Sequence, residues 1–216
     1  MRAYSVNALV LRTYRYDEAD RIVVFLTEDR GKKRGVAKGA RRPRSRFMGA
    51  LEPLTEVRVA YFEKERRELV GLNYAETQRS PLLLDNPEAL GHVGYFAELL
   101  DEWAQDADAD DRLYRLGASM LDAMSTGVPI DALARYFEYW LLRLQGVYPE
   151  SRGSLSDGAV AFLTSARSVS PQQVGLTPTS PQVLKELESV HRSLIATHLE
   201  KTLKSDRVLR DLRRHA

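Results

Sequence analysis

Nine cationic side chains, Arg30, Lys32, Lys33, Arg34, Lys38, Arg41, Arg42, Arg44 and Arg46, fall within seventeen residues that hold no carboxylate. The 216-residue chain has a formal net charge of only +2, so everything outside this run is net acidic. A single-signed cluster repels itself unless a polyanion neutralises it, and phosphodiester backbones are the commonest cellular polyanion. The late cations are all arginines, whose planar forks match phosphate oxygens. Pro43 stiffens the segment between them and lowers the entropy of ordering it. A merely solvated face is the bland alternative. Against it stand the missing counter-charges and the position of the run in strand ends and a loop. An anionic membrane surface calls for a basic amphipathic helix, which a stretch broken by three glycines and a proline does not encode.

Aromatic rings beside a cationic groove give single-strand binders their stacking platforms. Phe47 directly follows the run, and Tyr14, Tyr16, Tyr61 and Phe62 are further candidates. Tyr61 and Phe62 are adjacent in a strand and face opposite sides, so at most one is expected to be exposed. The set expected to contact nucleic acid is therefore Lys32, Lys33, Arg34, Lys38, Arg41, Arg42, Arg44, Arg46 and Phe47. Rings at helical spacing later in the chain, Trp103, Tyr136, Phe137, Tyr139 and Trp140, read as core.

Little else suggests chemistry. His92, His191, His198 and His215 lack ligand spacing, and no phosphate loop, dinucleotide fingerprint or nucleophile motif is present. The acidic stretch at 106–111 lacks the spacing and closing glutamate of a calcium loop. With no cysteine in the chain, disulfides, zinc–thiolate sites and cysteine nucleophiles are excluded. No enzyme activity, metal or cofactor is expected. The N-terminus has no signal-peptide pattern and no window approaches a membrane span, so a cytoplasmic location is expected.

The elements that position the cations follow from periodicity. Tyr4–Tyr14, Arg21–Thr27, Arg34–Lys38, Glu56–Glu63 and Arg67–Tyr74 read as strands divided by turn residues. Five short strands in about eighty residues describe a small Greek-key barrel. The count suits an OB-fold and leaves an SH3-like barrel open. Past Ser80-Pro81 the texture becomes helical. Asn86-Pro87-Glu88 is a helix start, with Leu90, Val93, Phe96, Ala97, Leu100 and Trp103 expected on its buried face. Arg112–Ser125, Ile130–Gln145 ended by Gly146, Asp157–Arg167, Pro181–Leu203 and Asp206–Arg214 are further helices. Charge changes with texture. Residues 1–80 hold 18 Lys and Arg against 11 Asp and Glu, residues 81–150 hold 4 against 13, and residues 151–216 hold 10 against 6. The expected organisation is α+β and multi-domain, with a five-stranded barrel over 1–80 and an all-α helical domain over 81–216.

The succession LVLRTYRYDEADRIVVFLTEDRGKKRGVAKGARRPRSRFMGALEPLTEVRV, residues 9–59, resembles the N-terminal domain of the RecO family of bacterial recombinational-repair mediators. The resemblance is carried by the Tyr16–Arg21 turn, Thr27 with Gly31-Lys32, the stretch Gly35–Arg41, Ser45-Arg46-Phe47 and Leu51-Glu52-Pro53. Residues 95–105, 137–150 and 204–212 are similar to the family's helical segments. The resemblance implies an OB-fold barrel joined to a helical domain, and non-enzymatic binding and annealing of single- and double-stranded DNA in DNA repair and recombination. It also implies partnership with RecR and with the acidic, apolar-ended tail of single-strand-binding protein, helping RecA replace the latter on the nucleoid. Arg112, Arg115, Arg135 and Arg143 are the cations in the acidic half that such a tail would meet. Many members carry a four-cysteine zinc module after the segment corresponding to LLRLQGVYPE. This chain continues without cysteine, so residues 146–156 are read as a shortened remnant and the basic run is expected to carry most of the DNA affinity. An RNA- or ribosome-associated OB protein is the alternative. A nuclease lacks a visible carboxylate cluster for metal.

Overall fold

The computed structural model describes residues 2–65, 67–106, 108, 110–149, 155–205 and 207–209. The C-terminal helix expected over 206–214 and the centre of the 146–156 segment lie largely outside them. Five strands form as alternating and β-branched runs: β1 (Arg2–Arg15), β2 (Arg21–Thr27), β3 (Gly31–Ala37), β4 (Glu56–Glu63) and β5 (Val70–Arg79). They close into a barrel in the order β1-β2-β3-β5-β4. The long β1 makes closure possible, because its second half, Ala8–Arg15, pairs with β2 while its first half, Arg2–Leu9, pairs with β4. A register shift between Val10 and Arg12 bends it between the two partners. β3 and β5 pair in parallel through Gly35–Val70, Val36–Gly71 and Ala37–Leu72. This strand order is that of an OB-fold, and it decides against the SH3-like alternative.

The barrel interior is filled by Ala8, Val10, Val23, Phe25, Val57, Val59, Tyr61 and Leu72, inward residues at period two. The parallel seam needs glycine for space. A Cβ on Gly35 would lie 2.1 Å from Leu72 Cδ1, and one on Gly71 would lie 2.2 Å from the Phe62 ring. The outer face of β1 is covered at Leu9 and Leu11, and Ile22 to Thr27 are buried without alternation.

The chain forms two compact units, Met1–Leu83 with Val93–Ala118, and Leu84–His92 with Ser119–Ala216. The first unit therefore contains most of α1 (Pro87–Trp103) and the start of α2 (Arg112–Ser125) beside the barrel. Leu9 packs where Gly117 leaves room, 2.6 Å from the position of a Cβ there, with Leu100 on the same spot at 2.7 Å. Tyr114 donates its hydroxyl to the buried carboxylate of Glu56, which also takes Arg79. Asn86 caps α1 through Oδ1, accepting from the amide of Glu88 at 2.9 Å. Of the six apolar residues expected on the α1 face, five are buried, but Leu90 is 41 % exposed because it sits in the first turn, ahead of the segment that covers the barrel.

In the second unit α3 (Ile130–Leu144) packs against α4 (Asp157–Ala166), α5 (Pro181–Leu199) and a 3-10 turn at Pro171–Leu176. Gly146 takes φ +68° just past α3, as its C-terminal glycine position requires. α5 stops at Leu199, short of the expected Leu203, with Glu200 in the left-handed conformation. Among the described residues no helix is long and apolar enough to cross a membrane.

Candidate nucleic-acid interface

The basic run is divided by the fold into three populations. Lys32 and Lys33 stand on β3, where α1 and β4 supply carboxylates. Lys32 Nζ donates to the Asp101 carbonyl at 2.6 Å and lies 3.5 Å from Asp101 Oδ1, with its side chain 11 % exposed. Lys33 Nζ is 3.1 Å from Glu63 Oε1. Carboxylates of the same unit therefore hold both ammonium groups, which sets these two expected contacts apart from the rest of the run. Arg12 adds a second cation to Asp101 at 3.2 Å.

Arg41 is a strut. Its amide donates to the Ala19 carbonyl at 2.9 Å and its guanidinium to the Glu18 carbonyl at 2.7 Å. Asp20 Oδ1 in turn accepts the Gly39 amide at 2.8 Å. The β1–β2 turn is thereby fastened to the segment that follows β3. The third population, Lys38, Arg42, Arg44 and Arg46, is exposed, and among the described residues none of the four has a carboxylate partner. Arg34 is exposed on β3.

Phe47 is corrected from a stacking ring to a core residue. It is 2 % exposed and packs in the barrel core with Ala50 and Leu51. Successive backbone turns, from Arg42 N to Gly39 O at 3.0 Å through Ala50 N to Phe47 O at 3.1 Å, wind the segment so that Phe47, Ala50 and Leu51 enter the same core. That i, i+3, i+4 spacing was the sequence signal for burial. Anchoring Phe47 inward leaves Arg46 at the surface, its guanidinium 5.1 Å from the Phe47 ring centroid. Arg44 holds φ +60°, a conformation costly for a residue with a side chain.

The rings that remain accessible are Tyr14 and Tyr16, 44 % and 57 % exposed, and half-buried Phe62. Tyr61 faces inward, and burial, then the charge of Glu63, pushes its hydroxyl up to about 12. Phe62 lies flat over Gly71, with Lys64 Nζ 5.8 Å from its ring centroid. Two grooves open on this rim of the barrel. One, of about 700 Å³, runs between the β1–β2 turn and Lys38–Arg46. The other, of about 630 Å³, is lined by Tyr16, Lys38, Phe62, Lys64, Arg67 and the start of β5. Lys64 and Arg67 were missed among the site residues, since in sequence they are only a charged turn between two strands. They enter through the β4–β5 loop, which with the β1–β2 loop forms the usual ligand face of an OB-fold.

The four arginines expected to hold an acidic tail do not act alike. Arg112 is paired with Asp110 through both carboxylate oxygens, and Arg115 lies 3.3 Å from Asp111. Both belong to the first unit, whereas Arg135 and Arg143 belong to the second. Arg135 is 3 % exposed and bound to Glu138 at 2.8 Å and Glu188 at 3.5 Å, so it is corrected to a core ion pair. His191 completes that cluster, with Nδ1 3.0 Å from Glu138 and Nε2 3.2 Å from the Tyr148 hydroxyl. Arg143 is exposed beside Trp140, 5.6 Å from its ring centroid, and donates to the Tyr139 hydroxyl.

An OB-fold barrel with a cationic, aromatic-edged rim, followed by a helical unit, is the class of protein that the fold and geometry define. The family model described as Recombination protein O N terminal matches residues 1–81, and that described as Recombination protein O C terminal matches residues 84–153. DNA repair protein RecO of Koribacter versatilis is 42 % identical over 146 residues, covering 67 % of this chain and 59 % of the relative. DNA repair protein RecO of Anaeromyxobacter sp. strain K is 37 % identical over 150 residues, covering 69 % and 59 %. The RecO of Geobacter metallireducens is 30 % identical over 236 residues, covering 95 % of this chain and 96 % of the relative. The matches to the first relatives thus span about three-fifths of their length. The chain belongs to the RecO family.

Proposed function

We propose that this chain is a non-enzymatic mediator of DNA repair and recombination that binds single- and double-stranded DNA and anneals complementary strands. The observation that carries the reading is the gathering of Lys38, Arg42, Arg44 and Arg46, free of carboxylate partners among the described residues, with exposed Tyr16 and half-buried Phe62 on one rim of the barrel. Such a rim neutralises phosphates on two strands and lowers the repulsion that slows their meeting. Contacts of this kind read backbone and not sequence, so binding is largely sequence-independent. In the cell this activity would work with RecR, on single strands covered by single-strand-binding protein, to let RecA load, in the cytoplasm at the nucleoid. Among the four arginines, Arg143 is our candidate to meet the acidic tail of single-strand-binding protein, because it is exposed and, unlike Arg112 and Arg115, has no carboxylate partner among the described residues. The test is annealing of complementary oligonucleotides coated with single-strand-binding protein, without nucleotide or magnesium. Accelerated pairing supports the reading. Strand cleavage on adding magnesium, or no effect on pairing together with tight RNA binding, overturns it.

A further inference from the structure

The two grooves on the barrel rim share Lys38 and Asp20 but differ in chemistry. The groove along Lys38–Arg46 is lined by charged, small and turn residues and by no aromatic ring. It offers cations for phosphates and nothing on which a base can stack. Its carboxylates are partly committed, since Asp20 accepts the Gly39 amide and Asp17 accepts the Glu18 amide at 2.8 Å. The other groove sets Phe62 and Tyr16 among Lys38, Lys64 and Arg67. Gly71 is the floor that supports the Phe62 ring, since any side chain there would displace it. A ring held flat by the backbone behind it presents its free face as a platform, and bases stack on such platforms only when unpaired and splayed from their neighbours.

We infer that the rim holds two adjacent tracks of different selectivity: a stacking track at Tyr16 and Phe62 that accepts only single strands, and an arginine track at Arg42, Arg44 and Arg46 that accepts any phosphodiester backbone, duplex included. Lys38 lies at their junction and serves both. Two strands held side by side react at a high effective concentration, which is what pairing requires. The inference rests on the DNA-binding reading above and adds to it where each kind of strand lies.

The test uses the full chain, a fluorescein-labelled oligothymidylate and a hairpin duplex carrying a second dye, followed by anisotropy. Tyr16→Ala is the principal variant, because Tyr16 is exposed and its loss does not threaten the fold; Phe62→Leu is the second. Each is expected to weaken oligothymidylate binding by between about 5- and 150-fold, the range for losing one stacked base, and to change duplex binding less than twofold. Arg42→Ala with Arg44→Ala is expected to weaken the duplex most. With oligothymidylate saturating, the wild-type chain still takes up the hairpin, and energy transfer between the dyes reports the ternary complex. Strict competition between the two probes, or variants that weaken both probes in equal ratio, overturns the two-track inference while leaving DNA binding intact. Failure of the wild-type chain to bind either probe overturns the DNA-binding reading as well.

Discussion

Replacing Arg42, Arg44 and Arg46 together by alanine removes three exposed cations while leaving Arg41, the strut, in place. On duplex DNA each neutralised phosphate contributes a log–log salt slope of about −0.9, so the triple variant should be less steep by about 2.7. Between roughly 50 and 200 mM salt, a fourfold change, that difference closes the gap between wild type and variant by about 40-fold. The contrast is Lys32→Ala. Its ammonium is largely buried against Asp101, which also keeps Arg12, so the variant should lose stability by about 1–3 kcal/mol through the hydrogen bond removed from the Asp101 carbonyl and the weaker pairing of its carboxylate, and keep the wild-type slope. Fluorescence anisotropy against salt, with urea unfolding on the same preparations, measures both. If Lys32→Ala flattens the slope as much as the triple variant does, or if the triple variant leaves it unchanged, the division of the run into docked and free cations is wrong.

Further outcomes follow from the same geometry. Glu18→Gln, which removes a carboxylate from the arginine groove, should tighten duplex binding about 2- to 5-fold at low salt, an effect that vanishes near 1 M salt. Gly71→Ala forces its Cβ into the Phe62 ring and should cost about 1–3 kcal/mol in urea unfolding together with lower affinity for single strands. Burial holds the Tyr61 hydroxyl protonated to about 12, above its ordinary 10.0, so the folded state keeps a proton that the unfolded chain has lost. Stability from this group is therefore complete below pH 10 and falls between 10 and 12, by roughly 2–3 kcal/mol. Tyr61→Phe should remove that alkaline loss, and because the buried hydroxyl has no hydrogen-bond partner among the described residues, it should not lower stability at neutral pH. Arg135→Ala leaves Glu138 buried without its guanidinium and should cost about 3–5 kcal/mol by thermal or urea unfolding, whereas Arg143→Ala should be near neutral for stability.

Most of the fold was legible in the order of residues. Period-two alternation in EVRVAYFE and the β-branched run RIVVFLT located β4 and β2 to the residue, and Asn86-Pro87 located the start of α1, because these signals are local. β5 was misplaced, beginning at Val70 and running to Arg79, since its outer residues are polar and its pairing depends on β4. The uninterrupted burial of β2 was visible as composition, but its reason is tertiary: barrel closure buries one face of this strand, and the other face is covered as well, unlike the outer faces of β4 and β5.

The sequence by itself determined the concentration of nine cations in one stretch, the absence of cysteine chemistry and the two textures of the chain, because these depend only on residue type and spacing. Tertiary structure decided which cations are free. Lys32 and Arg46 are indistinguishable along the chain, yet one meets Asp101, sixty-nine residues away, and the other meets no carboxylate among the described residues. It also turned Phe47 inward and brought Tyr16, Phe62, Lys64 and Arg67 to one groove. Counter-charge and burial are properties of neighbours in space, and closure of the barrel chooses those neighbours.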